Sequence, residues 1–264
     1  MPTIKCATWN INGVKARLDG LKTWLKETSP DLACLQEIKS VDEQFPREDV
    51  EALGYRVETH GQKGFNGVAI LSRLPLDDIA RGLPGDETDL QSRYISALAT
   101  CPSGRVLRVG GLYLPNGNPT GTEKTTYKWA WMRRLIEHAG AALKAEEPLL
   151  LMGDYNVIPE PVDAKQPDLW VNDALFLPET RALYRELLAL GFTDALRVAA
   201  PGKDVYTFWD YQAGAFQKNN GIRIDHILAS PQAADLITGA GVDQFTRGWE
   251  KPSDHAPVWV TLDL

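Results

Sequence analysis

Residues 3–37 read TIKCATWNINGVKARLDGLKTWLKETSPDLACLQE. Thr3 to Trp9 has strand character and stops at Asn10-Ile11-Asn12-Gly13, a turn-forming cluster. Between residues 17 and 28, Leu18, Leu21, Trp24 and Leu25 recur at helical spacing, and Ser29-Pro30-Asp31 stops that helix. Leu32 to Leu35 is a short apolar run ending in Gln36-Glu37. A strand–helix–strand opening with polar groups at both strand ends predicts an α/β fold whose chemistry gathers where strands finish.

Further along, the pattern turns strand-rich, with strands expected at Tyr55–Thr59, Gly67–Leu71, Tyr94–Thr100 and Val106–Leu114. A helix is predicted over 125–144, with Trp129, Met132, Leu135, Ile136 and Ala139 on one face. Leu149 to Met152 reads as a buried strand ending in Gly153-Asp154-Tyr155-Asn156. Thr180–Leu190 is a second amphipathic helix, and Ile222–Ala229 and Val258–Leu262 are late strands. No linker or low-complexity tract interrupts the chain. Mixed helices and short strands predict helices covering a pair of packed sheets, in one domain spanning residues 1–264.

Composition narrows the function. Apolar residues make up 44% of the chain and charged residues 24%, as in ordinary globular proteins. The formal charge of −7 argues against bulk attraction to nucleic acid, but leaves room for a local cationic face and supplies spare carboxylates for a hard cation. Three widely spaced cysteines, Cys6, Cys34 and Cys101, make no disulfide framework, and Cys6 and Cys34 sit in apolar runs. These features fit a reducing cytosol, and neither a signal peptide nor a membrane span is expected. The sequence has no H-E-x-x-H, G-x-S-x-G, Walker A or strand-borne G-x-G-x-x-G pattern.

What remains is a set of polar clusters beside apolar strands: Asn10/Asn12, Glu37, Asp154/Asn156, Asp225 and Asp254/His255. Singly, each reads as a turn residue or a solvated strand end. Together they suit phosphate-ester hydrolysis. Carboxylates hold a divalent ion, Asn amides orient phosphate oxygens and water, and an Asp–His pair offers an imidazolium to developing negative charge.

Six strings resemble the exonuclease III / abasic-site endonuclease family and follow its order: Trp9-Asn10-Ile11-Asn12-Gly13, Leu35-Gln36-Glu37-Ile38-Lys39, Tyr113-Leu114-Pro115-Asn116-Gly117, Gly153-Asp154-Tyr155-Asn156, Gly221-Ile222-Arg223-Ile224-Asp225 and Pro252-Ser253-Asp254-His255-Ala256-Pro257. The segment Tyr206 to Tyr211 resembles the DNA-repair branch rather than the wider superfamily. The resemblance implies a four-layer, DNase I-like α/β sandwich of two mixed sheets flanked by helices. It implies Mg²⁺- or Mn²⁺-dependent cleavage 5′ to abasic sites in duplex DNA, accompanied by 3′→5′ exonuclease and 3′-phosphatase or phosphodiesterase activities. A cytoplasmic monomer acting on DNA with abasic sites or blocked 3′ ends, away from membranes, is expected.

By the same resemblance, Glu37 is the main metal ligand, with Asn12 and Asp254 near the ion. Asp154 activates the water or protonates the leaving oxygen, positioned by Asn156 and Asn10. His255, oriented by Asp225, contacts the scissile phosphate, as do Tyr113 and Asn116. Lys15, Arg93 and Lys218 fall at cationic backbone contacts, and Tyr211 and Gln212 in a loop that enters the duplex. Phe208, Ile222 and Ile224 are expected to wall the abasic pocket, and Trp209 to pack. Lys15, Lys39, Lys63, Arg93, Lys124, Lys128, Lys218 and Arg223 are expected to form one positive face, with His226 in a packing or polar contact opposite Asp225. Two other readings are a phosphodiesterase acting on lipid or small-molecule phosphates and an inactive binding module. The aromatic and basic loops near 206–223 argue against the first, and the complete set of acidic and His positions against the second.

Overall fold

The strand–helix–strand opening read from the sequence forms, and its two strands pair in parallel, with the helix as the crossover that such a pair needs. Strand β1 (Thr3–Asn10) runs parallel to β2 (Leu32–Gln36), joined by helix α1 (Leu18–Thr28). The computed structural model describes residues 2–201 and 204–264. Helix α2 (Arg47–Glu51) leads into β3 (Arg56–His60), β4 (Val68–Ser72), β5 (Leu76–Arg81), β6 (Tyr94–Thr100) and β7 (Val106–Tyr113). Helix α3 (Glu123–Ala142) crosses from β7 to the parallel strand β8 (Leu149–Asp154). Helix α4 (Pro178–Ala189), β9 (Thr193–Asp194), α5 (Ala195–Ala199), β10 (Asp225–Ala229), α6 (Pro231–Ala234), β11 (Ile237–Val242) and β12 (Val258–Asp263) complete the order.

The strands form two mixed six-stranded sheets, ordered β11-β12-β1-β2-β4-β3 and β5-β6-β7-β8-β10-β9. Each contains one parallel pair with a helical crossover. The inner strands β2, β4, β8 and β10 are buried on both faces, which explains their unbroken apolar runs. Cys6, Cys34, Ile70, Val109, Met152 and Ile227 belong to the core between the sheets. A second core lies under α3 and α4, and a third under α1 and α2, giving the expected four layers. The three cysteines are free and buried.

The ends of β1, β2 and β8 meet at one edge of the sandwich, because β1 neighbours β2 in one sheet and the other sheet faces them. Gly153 fixes the approach of β8. A Cβ there would lie 1.8 Å from the Leu112 carbonyl oxygen, so the residue before Asp154 must be glycine.

One expected strand is shorter than its sequence suggested. Ile222–Ala229 becomes a strand only from Asp225. Ile222 instead bridges Phe208 and Ala164, Arg223 N–H donates to the Asp163 carbonyl, and the Ile224 carbonyl accepts from Tyr155 N–H. These bonds draw the backbone out of the ladder and bring Ile222 and Ile224 to one opening, with Asp225 buried behind them.

Candidate active site

Three residues at these strand ends hold left-handed backbone although none is glycine: Asn12 (φ 47°), Glu37 (φ 48°) and Asn156 (φ 49°). Such conformations cost energy and persist where surroundings over-determine them. Here the side chains do so. Asn10, wholly buried, donates from Nδ2 to Glu37 Oε1 at 2.9 Å and to Asp154 Oδ2 at 2.9 Å, while its Oδ1 accepts Asn12 N–H at 3.0 Å. One amide thus ties both sheets together at the site.

Glu37 Oε1 also accepts the Tyr113 hydroxyl at 2.8 Å, and Oε2 faces Lys39 Nζ at 2.9 Å. Burial opposes charge on Glu37, yet the hydrogen bonds from Asn10, Lys39 and Tyr113 hold its pKa below the usual range. Lys39 donates as well to Asn12 Oδ1 at 2.6 Å, and Asn12 Nδ2 donates to Asp254 Oδ1 at 3.0 Å. A cation therefore already sits between the oxygens of Glu37 and Asn12, with Asp254 behind. Hard oxygen donors around a positive charge fit a divalent ion.

Asp154, Asp225 and His255 form a second group whose ligand atoms lie within 4.8 Å of one another. Asp225, however, is committed to the imidazole: its Oδ2 meets His255 Nδ1 at 2.8 Å and its Oδ1 at 3.1 Å. On that ground the Glu37–Asn12 position suits an ion better, and the trio reads as a charge relay of fixed geometry. His255 Nε2 points toward Asp154 Oδ2 at 3.8 Å. Burial alone would lower the His255 pKa, but Asp225 and Asp154 outweigh it and raise it to about 10, so the ring is an imidazolium at neutral pH. Burial pushes Asp154 up to about 7, against the pull of His255. A proton donor or acceptor poised near neutrality stands beside a fixed cation.

These groups share a cleft of about 290 Å³, lined by Glu37, Tyr113, Asn116, Asp154, Asn156, Asp254 and His255. Its apolar wall is Phe208, Ile222 and Ile224. Asn10 and Asp225 are buried behind it. Phe208 meets His255 edge-on with ring centroids 5.0 Å apart, whereas Trp209 is buried and packs against Phe216. Asn116 Nδ2 donates to Asn156 Oδ1 at 3.1 Å, and Asn156 Nδ2 to the Leu114 carbonyl at 2.9 Å.

The remaining predicted residues lie outside the cleft. Arg93 lines a neighbouring groove with Asn116, its guanidinium 4.8 Å over the Tyr113 ring. Lys218 and Gln212 line another groove, on the Phe208 side. Lys15 is exposed and donates to Gln44 Oε1 at 2.9 Å. The Tyr211 hydroxyl accepts from Arg17 Nη2 at 3.0 Å and donates to the Pro252 carbonyl at 2.9 Å, which anchors this half-exposed ring beside the loop carrying Asp254.

Two members of the expected positive face are not on the surface. Lys128 is fully buried and donates to the carbonyls of Asn116 (3.1 Å) and Asn156 (2.5 Å), fastening both loops to α3. Burial lowers its pKa to about 7, partly countered by Asp154 and Asp173. Arg223 is buried too, paired to Asp163 Oδ1 and Asp194 Oδ2, each at 2.7 Å. Sequence reading also missed Asn118, Trp170, Asp173, Leu175 and Asp210, which line the cleft. Ser253, inside the Pro252–Pro257 segment, carries no functional signal in the sequence, yet its Oγ donates to the Asn10 carbonyl at 2.7 Å and accepts His255 N–H at 3.2 Å.

His226 faces away from Asp225, as alternation required. Its Nε2 donates to the Val157 carbonyl at 3.0 Å, and Nδ1 accepts from Arg223 Nη1 at 3.0 Å. A carbonyl can only accept and a guanidinium only donate, so the neutral ring fits. Burial, reinforced by Arg223, lowers its pKa from 6.5 to about 4. The unfolded chain then takes up this proton first, so its contribution to stability is complete above pH 6.5 and declines as pH falls toward 4. His226→Gln, which keeps a donor and an acceptor, is expected to flatten this dependence by on the order of 1–3 kcal/mol. Urea titrations of both proteins on either side of that window check it, and equal slopes would refute the assignment.

The sequence model of the endonuclease/exonuclease/phosphatase family matches residues 7–255. The chain is 38% identical over 264 residues to an exodeoxyribonuclease III of Haemophilus influenzae, covering 97% of this chain and 98% of that protein. An AP endonuclease from Archaeoglobus fulgidus superposes with a TM-score of 0.93 at 37% identity, covering 99% of this chain and 100% of its own. A 3′ phosphatase from Neisseria, solved with a product DNA hairpin, superposes with a TM-score of 0.94 at 36% identity and the same coverage. Among the described residues no helix is long and apolar enough to cross a membrane.

Proposed function

Given that this chain belongs to the endonuclease/exonuclease/phosphatase family and is a hydrolytic DNA-repair nuclease within it, we propose that it cleaves the phosphodiester 5′ to abasic sites in duplex DNA. Removal of 3′ nucleotides and 3′ phosphates is the companion activity at the same cleft. The observation that carries the reading is the row Asp225–His255–Asp154, which sets a buried imidazolium and a carboxyl of raised pKa against one cleft with an apolar wall.

In the proposed hydrolysis the phosphate enters between His255, Tyr113 and Asn116. Imidazolium and amide N–H groups face its oxygens and stabilise the charge that grows as water attacks. The attacking water gives its oxygen to phosphorus and a proton to the site. The bond to the 3′ oxygen of the preceding nucleotide breaks, and that oxygen gains a proton. Asp154 handles one of these two protons, held in place by Asn10 and the Asn156 N–H. Glu37, Asn12 and Asp254 would hold Mg²⁺ or Mn²⁺, which when bound supplies positive charge to the phosphate and the departing oxygen. Arg93, Lys15 and Lys218 are assigned to backbone phosphates, and Phe208, Ile222 and Ile224 to a wall that accepts a sugar without its base.

Turnover of a duplex with a central abasic analogue, set beside a blunt duplex and a sphingomyelin or inositol-phosphate substrate, tests this reading. Nicking at the analogue is expected, and turnover of the lipid or inositol substrate alone would reject it. Phe208→Ala is expected to lower the preference for abasic over undamaged duplex with little change in melting temperature. Trp209→Ala is expected to lose about 3–5 kcal/mol of stability, since the ring is buried and donates to Asn219 Oδ1 at 3.2 Å. If instead Trp209→Ala changes selectivity and Phe208→Ala melts early, the two rings have been assigned the wrong way round.

A further inference from the structure

The cleft has a larger neighbour. It encloses about 740 Å³ against about 290 Å³ for the cleft. The two share Trp170, Asp173, Phe208, Asp210 and Ile222 as a common wall, so one opens beside the other. Buried Leu175 and Ile224 are part of the cleft's lining, and its smaller volume leaves less room for a base attached to a sugar seated there. The groove has that room.

Its chemistry suits a nucleobase. Trp170, half-buried against the Leu175–Phe176 cluster, stands at the junction and offers an aromatic surface. Leu169 beside it is 71% exposed, an apolar side chain left in water unless something covers it. Gln166 Nε2 donates to Asn220 Oδ1 at 3.1 Å on the other side, and this amide pair retains further donors and acceptors for a base edge. Lys218 has no ion pair or side-chain hydrogen bond among the described residues, so its ammonium is available to a phosphate. Stacking on an aromatic ring with a lysine at the backbone is how proteins take up unpaired nucleotides without reading their sequence.

We propose that this groove is a base-parking subsite: it takes the unpaired base of a 3′-terminal nucleotide whose phosphodiester lies in the adjoining cleft. The inference rests on the nuclease reading above and deepens it: the groove receives the terminal base of an exonuclease substrate by its lack of pairing rather than by its identity. A substrate with no base at the reacting position, such as a 3′ phosphate, makes no use of the groove.

The test uses two duplexes, one ending in a mismatched 3′ nucleotide and one in a 3′ phosphate. Gln166 is exposed and lies only in the groove, so Gln166→Trp fills the space without disturbing the core. Excision of the mismatched nucleotide is expected to fall ~10-fold or more, within the range of one lost stacking contact, while release of the 3′ phosphate keeps the wild-type rate. A second measurement is independent of turnover. A mismatched 3′-terminal 2-aminopurine, bound in EDTA, is expected to lose fluorescence on wild-type protein and to stay bright on Trp170→Leu. Equal rates for both proteins on the mismatch, an equal fall on both duplexes, or unchanged 2-aminopurine fluorescence on bound wild-type protein would overturn the subsite. Wild-type protein inactive on both duplexes would instead overturn the nuclease reading.

Discussion

Asp225→Asn and His255→Asn are each expected to cut abasic-site cleavage at least ~100-fold, the usual cost of removing one pre-set charge-stabilising group. The reason is electrostatic. Burial disfavours the charged ring, and it is the carboxylates of Asp225 and Asp154 that raise the His255 pKa to about 10. An amide in place of the Asp225 carboxylate is nearly the same size but carries no charge, so burial would again dominate and the ring would be largely neutral at pH 7. Phosphoryl transfer depends on positioning and charge rather than on a covalent partner, so losing the cation removes the contribution itself. The double variant should be little slower than the worse single, because the carboxylate acts only through the imidazole. Asp225→Asn should also recover part of its rate as pH falls and the ring charges again, whereas His255→Asn should not. Single-turnover rates over a pH series check both points. Fully additive losses would mean that Asp225 has a task of its own.

The sequence made the acidic and Asn groups legible because they interrupt apolar runs. Asn10, Glu37 and Asp154 each stand where a buried strand runs out, and a polar side chain there needs a reason. The start of the strand expected at Ile222–Ala229 is illegible for the opposite reason: every residue from 222 to 229 is buried, so no alternation marks where the ladder begins. Strands β5 and β11 left no trace because both lie at sheet edges and are mostly exposed or half-exposed. Lys128 read as a surface cation because a lysine usually is one. Only the docking of α3 under the Asn116 and Asn156 loops turns it inward. Trp170 and Leu175 come from a segment of short turns with no period, so nothing in the chain announces that they reach the cleft.

Lys39 bears on where a metal ion would bind, and so on the second large effect. Its ammonium lies between Glu37 Oε2 and Asn12 Oδ1. A divalent ion at this place would take over oxygens that already face a cation, with Tyr113 and Asn10 still holding Glu37 Oε1. The alternative position, among Asp154, Asp225 and His255, would need Asp225 to give up its bonds to the imidazole. The two positions make opposite predictions. At either position EDTA abolishes cleavage and Mg²⁺ or Mn²⁺ restores it, so the variants separate the two, and the first case is an ion that belongs to Glu37. Glu37→Ala then raises the metal concentration for half-maximal rate by at least ~10–100-fold, as loss of a directly bound carboxylate should cost no less than loss of a supporting group. Mn²⁺ affinity, followed calorimetrically without substrate, should weaken with Glu37→Ala and change little with Asp225→Asn. If the ion belongs to the trio, the order reverses. Because affinity is read without turnover, the result separates loss of the ion from loss of the imidazolium, which rate measurements alone would merge. Wild-type Mn²⁺ affinity in Glu37→Ala would remove Glu37 from the metal site, and full activity in EDTA would remove the metal from the reaction.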